Sequence, residues 1–103
     1  MRLYYVYVMA SINRVLYVGV TGNLGQRLIA HRYPVDQAAF TARYRVNRLV
    51  YLEEYTRPFD AIEREKQIKS WRRSKKIALI VRLNPNWDDL APPDHQLPRL
   101  RSG

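Results

Sequence analysis

Four tyrosines, Tyr4, Tyr5, Tyr7 and Tyr17, fall within the twenty residues LYYVYVMASINRVLYVGVTG, and Gly19 follows the last of them by two positions. One helical turn separates Arg27 from His31, and another separates Glu65 from Lys69. Phenol, guanidinium, imidazole and carboxylate are the parts that hydrolysis of a phosphodiester needs. They can supply a proton acceptor for the attacking water, a cation for the phosphate and an oxygen ligand for a hard metal ion. Each also has a plainer explanation when taken singly. Aromatic residues pack well across strands, and an Arg and a His beside a helix's apolar stripe can snorkel to its rim. A Glu–Lys pair four residues apart is common on helices and contributes about 0.3 to 0.5 kcal/mol when exposed. Only convergence gives these residues chemical weight, and convergence depends on the elements that carry them.

Residues 3–9 and 15–20 each alternate with the period of a strand, and the five-residue connection ASINR suits an antiparallel hairpin. A register with Met9 opposite Val15 sets Tyr7 opposite Tyr17 and Tyr5 opposite Gly19, all on one face. Thr21, Gly22 and Asn23 supply a turn and an N-cap for a helix from Leu24 to Arg32, which Tyr33 and Pro34 end. Leu24 and Leu28 mark its core side, with Arg27 and His31 flanking that arc. Residues 35–47 read as an irregular basic connection. A third strand follows over residues 48–54, with Leu49, Tyr51 and Glu53 facing away from Val50, Leu52 and Glu54.

The next helix opens at Pro58 and Asp60, where Asp60 and Glu63 have the spacing of a capping box, and it runs through Trp71. Its apolar arc is expected to comprise Ala61, Ile62 and Ile68, with Glu65 in the middle. A carboxylate on a core-facing arc costs several kcal/mol, roughly, unless it is paired, hydrogen-bonded or bound to a cation. A shorter helix is expected from Ser74 to about Leu83, ending at Asn84 and Pro85. Residues 1–90 are therefore read as one domain of the α+β class, a small three-stranded antiparallel sheet flanked by helices. The Pro-rich run from Ala91 to Gly103 is expected to be a flexible C-terminal tail.

Eighteen Lys and Arg against nine Asp and Glu give the 103 residues a formal charge of +9. A polyanion is the natural partner, and nucleic acid leads. No apolar run approaches the ~20 residues of a membrane-spanning helix, so no membrane association is expected and a cytoplasmic location is the default. There is no cysteine, hence neither a disulfide framework nor a thiolate metal site. Six cations crowd the stretch KQIKSWRRSKK (Lys66, Lys69, Arg72, Arg73, Lys75, Lys76), and Arg43, Arg45 and Arg48 form a second group. Such charge would neutralise backbone phosphates without reading bases. Trp71, three residues after Ile68, is expected at the edge of the core rather than stacked on a base.

Tyr5-Val6-Tyr7 and Tyr17-Val18-Gly19, followed by VTGNLGQRLIAH, LVYLEEY, AIEREKQIKSWRRSKKIALI and LNPNWDDL, make the chain resemble the GIY-YIG nuclease superfamily, in particular its small single-domain bacterial members. The likeness extends from residue 2 to about 90. It implies that Tyr7 and Tyr17 form a phenolic pair beside Gly19, that Arg27 contacts the phosphate with His31 as its helical companion, and that Glu65 holds Mg²⁺ or another divalent ion such as Mn²⁺. Asn84 would be the family's late asparagine, with Asn86 the alternative. The implied activity is endonucleolytic hydrolysis of DNA, as in DNA repair, on branched, damaged or single-stranded forms. RNA remains an open ligand, as does a protein partner. The competing class is a nucleic-acid-binding module that keeps the fold and cleaves little alone. Tyr5 stands where the family has Gly and Val6 and Val18 where it has Ile, which bears on substrate fit more than on chemistry. A free phenol titrates near pH 10, so a tyrosine acting as base would need help from Arg27 or a metal-bound water.

Overall fold

A computed structural model describes residues 1–36 and 38–92. Of the tail expected from Ala91 onward, only Ala91 and Pro92 lie within the described residues.

Three strands, β1 (Tyr4–Ala10), β2 (Leu16–Thr21) and β3 (Arg48–Tyr55), form an antiparallel sheet in the order β2-β1-β3. Four helices accompany it: α1 (Leu24–Arg32), α2 (Phe40–Arg43), α3 (Pro58–Ser70) and α4 (Arg73–Leu83). The architecture is the expected α+β arrangement. The central strand β1 is buried on both faces, which is why YVYVMA carries apolar or aromatic side chains at successive positions instead of a half-polar alternation. One face packs Val6, Val8 and Val18 against Ala61 and Ile68 of α3 and Leu79 and Ile80 of α4. The other packs Tyr7 and Met9 against Leu28 of α1, with Val46 and Leu49.

The hairpin register differs from expectation by two residues. Met9 pairs with Tyr17, Tyr7 with Gly19 and Tyr5 with Thr21. The turn sets this shift. Ser11 N donates to the Val15 carbonyl at 3.0 Å, Val15 N donates to Ser11 Oγ at 2.9 Å, and Arg14 adopts a φ of 65°. A shift of two preserves each side chain's face, so the phenols stay on the expected side while becoming diagonal neighbours.

β3 departs from strict alternation. Val8 pairs with Tyr51 and Met9 with Leu49, leaving Val50 as the extra residue of a bulge. Leu49 therefore faces α1, whereas Val50 and Tyr51 both join the core under α3 and α4, so Leu49 and Tyr51 do not share a face. The Glu53 carboxylate on that side accepts hydrogen bonds from the Tyr51 and Tyr55 hydroxyls and from Arg64 of α3.

Helix ends differ in how far local chemistry specifies them. Asn23 caps α1 as expected, its Oδ1 accepting from Gln26 N at 3.1 Å. In α3 the capping box does not form. Pro58 takes the first helical position, where its fixed φ and missing N–H are suited, so Arg57 becomes the cap and Asp60 lies inside the first turn. On the same helix Ile62 is 40% exposed, and the inward arc runs through Ala61, Glu65 and Ile68. The short helix α2 lies in the stretch expected to be irregular; four residues are too few to show a helical period.

Candidate active site

Tyr7 reaches the site from the middle of β1. Its side chain is 1% exposed, and its ring lies across the backbone of Gly19 on the paired strand. A Cβ at Gly19 would overlap the Tyr7 Cζ and hydroxyl and stand 2.9 Å from Cε1. Glycine at this position is thus a requirement of close approach. The Tyr7 hydroxyl meets His31 Nε2 at 3.0 Å, and His31, one turn after Arg27 on α1, is 7% exposed. The Tyr17 ring completes the group, with its centroid 5.0 Å from His31 and 6.3 Å from Tyr7. Two phenols and an imidazole thus form one cluster between the sheet and α1.

The cluster opens onto a hollow of about 320 Å³, lined by Tyr17, His31 and Arg27 together with Phe40 and Thr41 of α2. Thr41 and Phe40 are parts of the site that sequence reasoning missed. The only local clue was Asp36, whose Oδ1 accepts from Ala38 N at 2.9 Å and turns the chain toward α2. Arg27 is exposed at the rim.

Glu65 approaches from α3. Its side chain is 13% exposed, and Oε2 lies 2.8 Å from Lys69 Nζ, so the i,i+4 pair forms with its carboxylate mostly desolvated. The pair raises the Lys69 pKa, first through its hydrogen bond to Glu65. Glu65 and Arg27 are both near enough to Tyr7 to act on its ionisation. Burial is the largest influence there and drives the Tyr7 pKa well above the ordinary phenol value; Tyr17 adds to this and Arg27 only partly opposes it. The phenol at the heart of the site is a neutral hydroxyl, the reverse of an ionised tyrosine base. His31 moves the other way, its pKa lowered by burial and then by Arg27 and Arg32, so its imidazole is uncharged at neutral pH.

Among the described residues no group of three or more His, Asp or Glu side chains is arranged to hold a metal ion. Glu65 offers a mostly buried carboxylate close enough to act on Tyr7, while Asp36 lines the exposed side of the hollow, and the ammonium partner of Glu65 shows that its spot accommodates positive charge. One carboxylate fits Mg²⁺, which keeps several waters and shares substrate phosphates.

The late asparagine is not brought to this cluster. Asn84 caps the C-terminus of α4; its Nδ2 donates to the Val50 and Asp88 carbonyls at 3.0 and 2.9 Å, and its Oδ1 accepts from Asp88 N at 3.0 Å. Its amide is spent on joining α4 to the bulge of β3. Asn86 is exposed in the turn that follows. In the same segment Asp89 receives both a 3.0 Å contact from Arg32 at the end of α1 and a hydrogen bond from Leu49 N, clamping α1 to the sheet. Of the expected basic residues, Lys75 lies 4.3 Å from the half-buried Trp71 ring, which Arg64 flanks at 5.2 Å, Arg73 donates to the Arg14 carbonyl, and Arg43 lies over Tyr44. Arg45, Lys66, Arg72 and Lys76 carry their charge on or near the surface. Trp71 packs at the edge of the core, as expected.

The chain matches a family model described as the GIY-YIG catalytic domain over residues 3–78. A UPF0213 protein of Syntrophus aciditrophicus is 36% identical over 76 residues, covering 74% of this chain and 87% of the relative. A UPF0213 protein of Staphylococcus saprophyticus is 32% identical over 80 residues, covering 78% and 96%. The solution NMR structure of the UPF0213 protein BH0048 from Bacillus halodurans superposes with a TM-score of 0.54 at 22% identity, covering 84% of this chain and 92% of that one, a likeness of fold.

Proposed function

Because this chain belongs to the GIY-YIG family and has its nuclease-like fold, we propose that it is a divalent-metal-dependent endonuclease hydrolysing DNA phosphodiester bonds. The observation that carries this reading is the contact between the buried Tyr7 hydroxyl and His31 Nε2 at 3.0 Å, beside Tyr17 and Arg27 on one hollow. Packing alone has no need of an uncharged imidazole facing a phenol in a cleft rimmed by a guanidinium.

Arg27 holds the phosphate and stabilises the charge that gathers on its oxygens as water attacks. Tyr17, the phenol facing the hollow, accepts a proton from that water and passes its own to the Tyr7 hydroxyl, which in turn passes its own to His31 Nε2. This relay uses the tautomer with hydrogen on Nδ1. Neither phenol has to ionise, which removes the difficulty of a base with a pKa near 10. His31 is suited to the final acceptor role because burial and two arginines keep it neutral. Glu65 would hold the divalent ion, which when bound supplies Lewis-acid stabilisation of the developing charge. Gly19 keeps Tyr7 against the strand so that its hydroxyl meets the imidazole.

The test is cleavage of a panel of labelled DNAs (duplex, branched, mismatched and single-stranded) and one RNA, with and without Mg²⁺, by wild type, Glu65→Ala and Arg27→Ala. Mg²⁺-dependent cleavage that is lost in both variants is expected. Undiminished cleavage in both variants would remove the assigned site. Binding without cleavage in all three proteins would select a nucleic-acid-binding module.

A further inference from the structure

The turn of the β1–β2 hairpin, at the opposite end of β1 from its start, is ringed by cations from three separate parts of the chain. One hollow beside it is lined by Arg45 and Arg48, a second by Arg14, Arg73 and Lys76, and a third, sharing Ser11, Arg14 and Arg48 with the others, joins them around the turn. No Asp or Glu lines any of the three. The four ion pairs among the described residues use Arg32, Arg57, Arg64 and Lys69, leaving these five cations without a carboxylate partner there.

Backbone strain marks the same surface. Among the described residues three non-glycine positions have positive φ, Arg14 at 65°, Arg45 at 55° and Trp87 at 56°, and all three line these hollows. Such conformations favour Gly or Asn and persist where the surroundings hold them; they concentrate at functional surfaces. Here the surroundings do hold them. The Arg14 guanidinium stacks 4.7 Å from the Trp87 ring, and Arg73 Nη2 donates to the Arg14 carbonyl at 2.7 Å. Arginines sit in two left-handed positions that glycine would fill with less strain, and they converge on one rim. Folding alone does not call for that convergence.

We propose that this hairpin rim is a second anchoring site for the sugar-phosphate backbone of a nucleic acid, separate from the reacting phosphate. The inference rests on the nuclease reading and extends it: the substrate is gripped at two places. Ser11 follows Tyr7 by four residues, so the rim lies about 13 Å from the cluster along the strand at ~3.3 Å per residue. That span is a few nucleotides of backbone. Arg14 and Arg48 join Arg45, Arg73 and Lys76 in a single surface although they are scattered along the sequence, and Ile12, 79% exposed at the tip, stands among them as an apolar contact for bases or sugars.

The experiment measures the affinity of the full chain for labelled oligonucleotides by fluorescence anisotropy in EDTA, from 0.05 to 0.5 M salt. It compares wild type, Arg14→Gln with Arg48→Gln, and an equal-charge control, Arg57→Gln with Arg82→Gln. With a single-stranded oligonucleotide, two lost phosphate contacts should flatten the log–log salt slope by about 1.4, so that binding at 0.05 M salt relative to 0.5 M is weakened roughly 25-fold. The control should keep the wild-type slope. Arg14→Gly, which suits the positive φ, preserves the turn while deleting one guanidinium, so its loss of affinity cannot be ascribed to unfolding. Equal weakening in both double variants, or a wild-type slope in the rim variants, overturns the proposal. So does a rim-dependent slope seen with polyglutamate and not with DNA. Because cleavage is not measured, an inactive protein that still binds through the rim would defeat the nuclease reading and leave this one standing.

Discussion

Replacing Gly19 by Ala tests whether the Tyr7–His31 contact depends on a bare backbone. The new Cβ would occupy the volume of the Tyr7 Cζ and hydroxyl, and a ring 1% exposed has no free space to move into. Overpacking of this kind costs about 1 to 3 kcal/mol, and breaking the buried Tyr7–His31 hydrogen bond adds about 1 kcal/mol. The expected destabilisation is about 2 to 4 kcal/mol, which for a domain of this size lowers Tm by roughly 10 to 25 °C. Urea denaturation of wild type, Gly19→Ala, Tyr7→Leu and the double variant gives the decisive cycle. Leucine is shorter than tyrosine and vacates the disputed volume, so Gly19→Ala should cost little in the Tyr7→Leu background, with a coupling of about 1 to 3 kcal/mol. Additive losses would refute the argument, because they would mean that the methyl group and the phenol do not compete for the same space.

Three further outcomes follow from the geometry. Asn84→Ala removes three hydrogen bonds, one to the buried Val50 carbonyl and two to the part-buried Asp88 backbone, so it should destabilise the fold by about 2 to 3 kcal/mol in urea melts while leaving cleavage per folded molecule unchanged. Arg57→Ser supplies the side-chain cap that α3 lacks and should raise stability by about 0.5 to 1 kcal/mol, read as a higher urea midpoint. Burial and the Glu53 carboxylate push Tyr51 and Tyr55 up to about 12, and burial raises Tyr7 as well. The unfolded chain then releases these protons near pH 10 while the folded chain retains them, so this contribution is full below pH 10 and is lost as pH rises toward 12. A urea midpoint that stays constant from pH 8 to 11.5 would contradict it.

Much of this architecture was legible because periodicity reports faces. The alternation of residues 3–9 and 15–20 put Tyr7 and Tyr17 on the same side even though the register was off by two, since the period of a strand makes faces insensitive to a shift of two. Asn23 was readable as a cap because capping is local. What escaped was set by contacts distant in sequence. The Val50 bulge depends on Asn84 and on the two cores that Leu49 and Tyr51 must fill, and nothing within RLVYLEEY announces it. Nor does the spacing of Tyr7 and His31, 24 residues apart, show that burial will hold one as a neutral phenol and the other as a neutral imidazole. Glu65 is the intermediate case: its place on the inward arc was visible, whereas Ile62, assigned to the same arc, faces solvent because α3 turns its Glu65 side toward the sheet.

The pH dependence of single-turnover DNA cleavage at saturating Mg²⁺ tests the proton relay to His31 most directly. With a neutral His31 as the final acceptor and its pKa lowered from 6.5, the rate should be level through pH 7 and fall only as acid protonates the imidazole below 6.5. His31→Ala should lose that limb and roughly 10² to 10⁴-fold in rate. A wild-type rate that climbs steadily from pH 7 toward 10, undiminished in His31→Ala, would show that an ionised tyrosine does the work and would contradict the account.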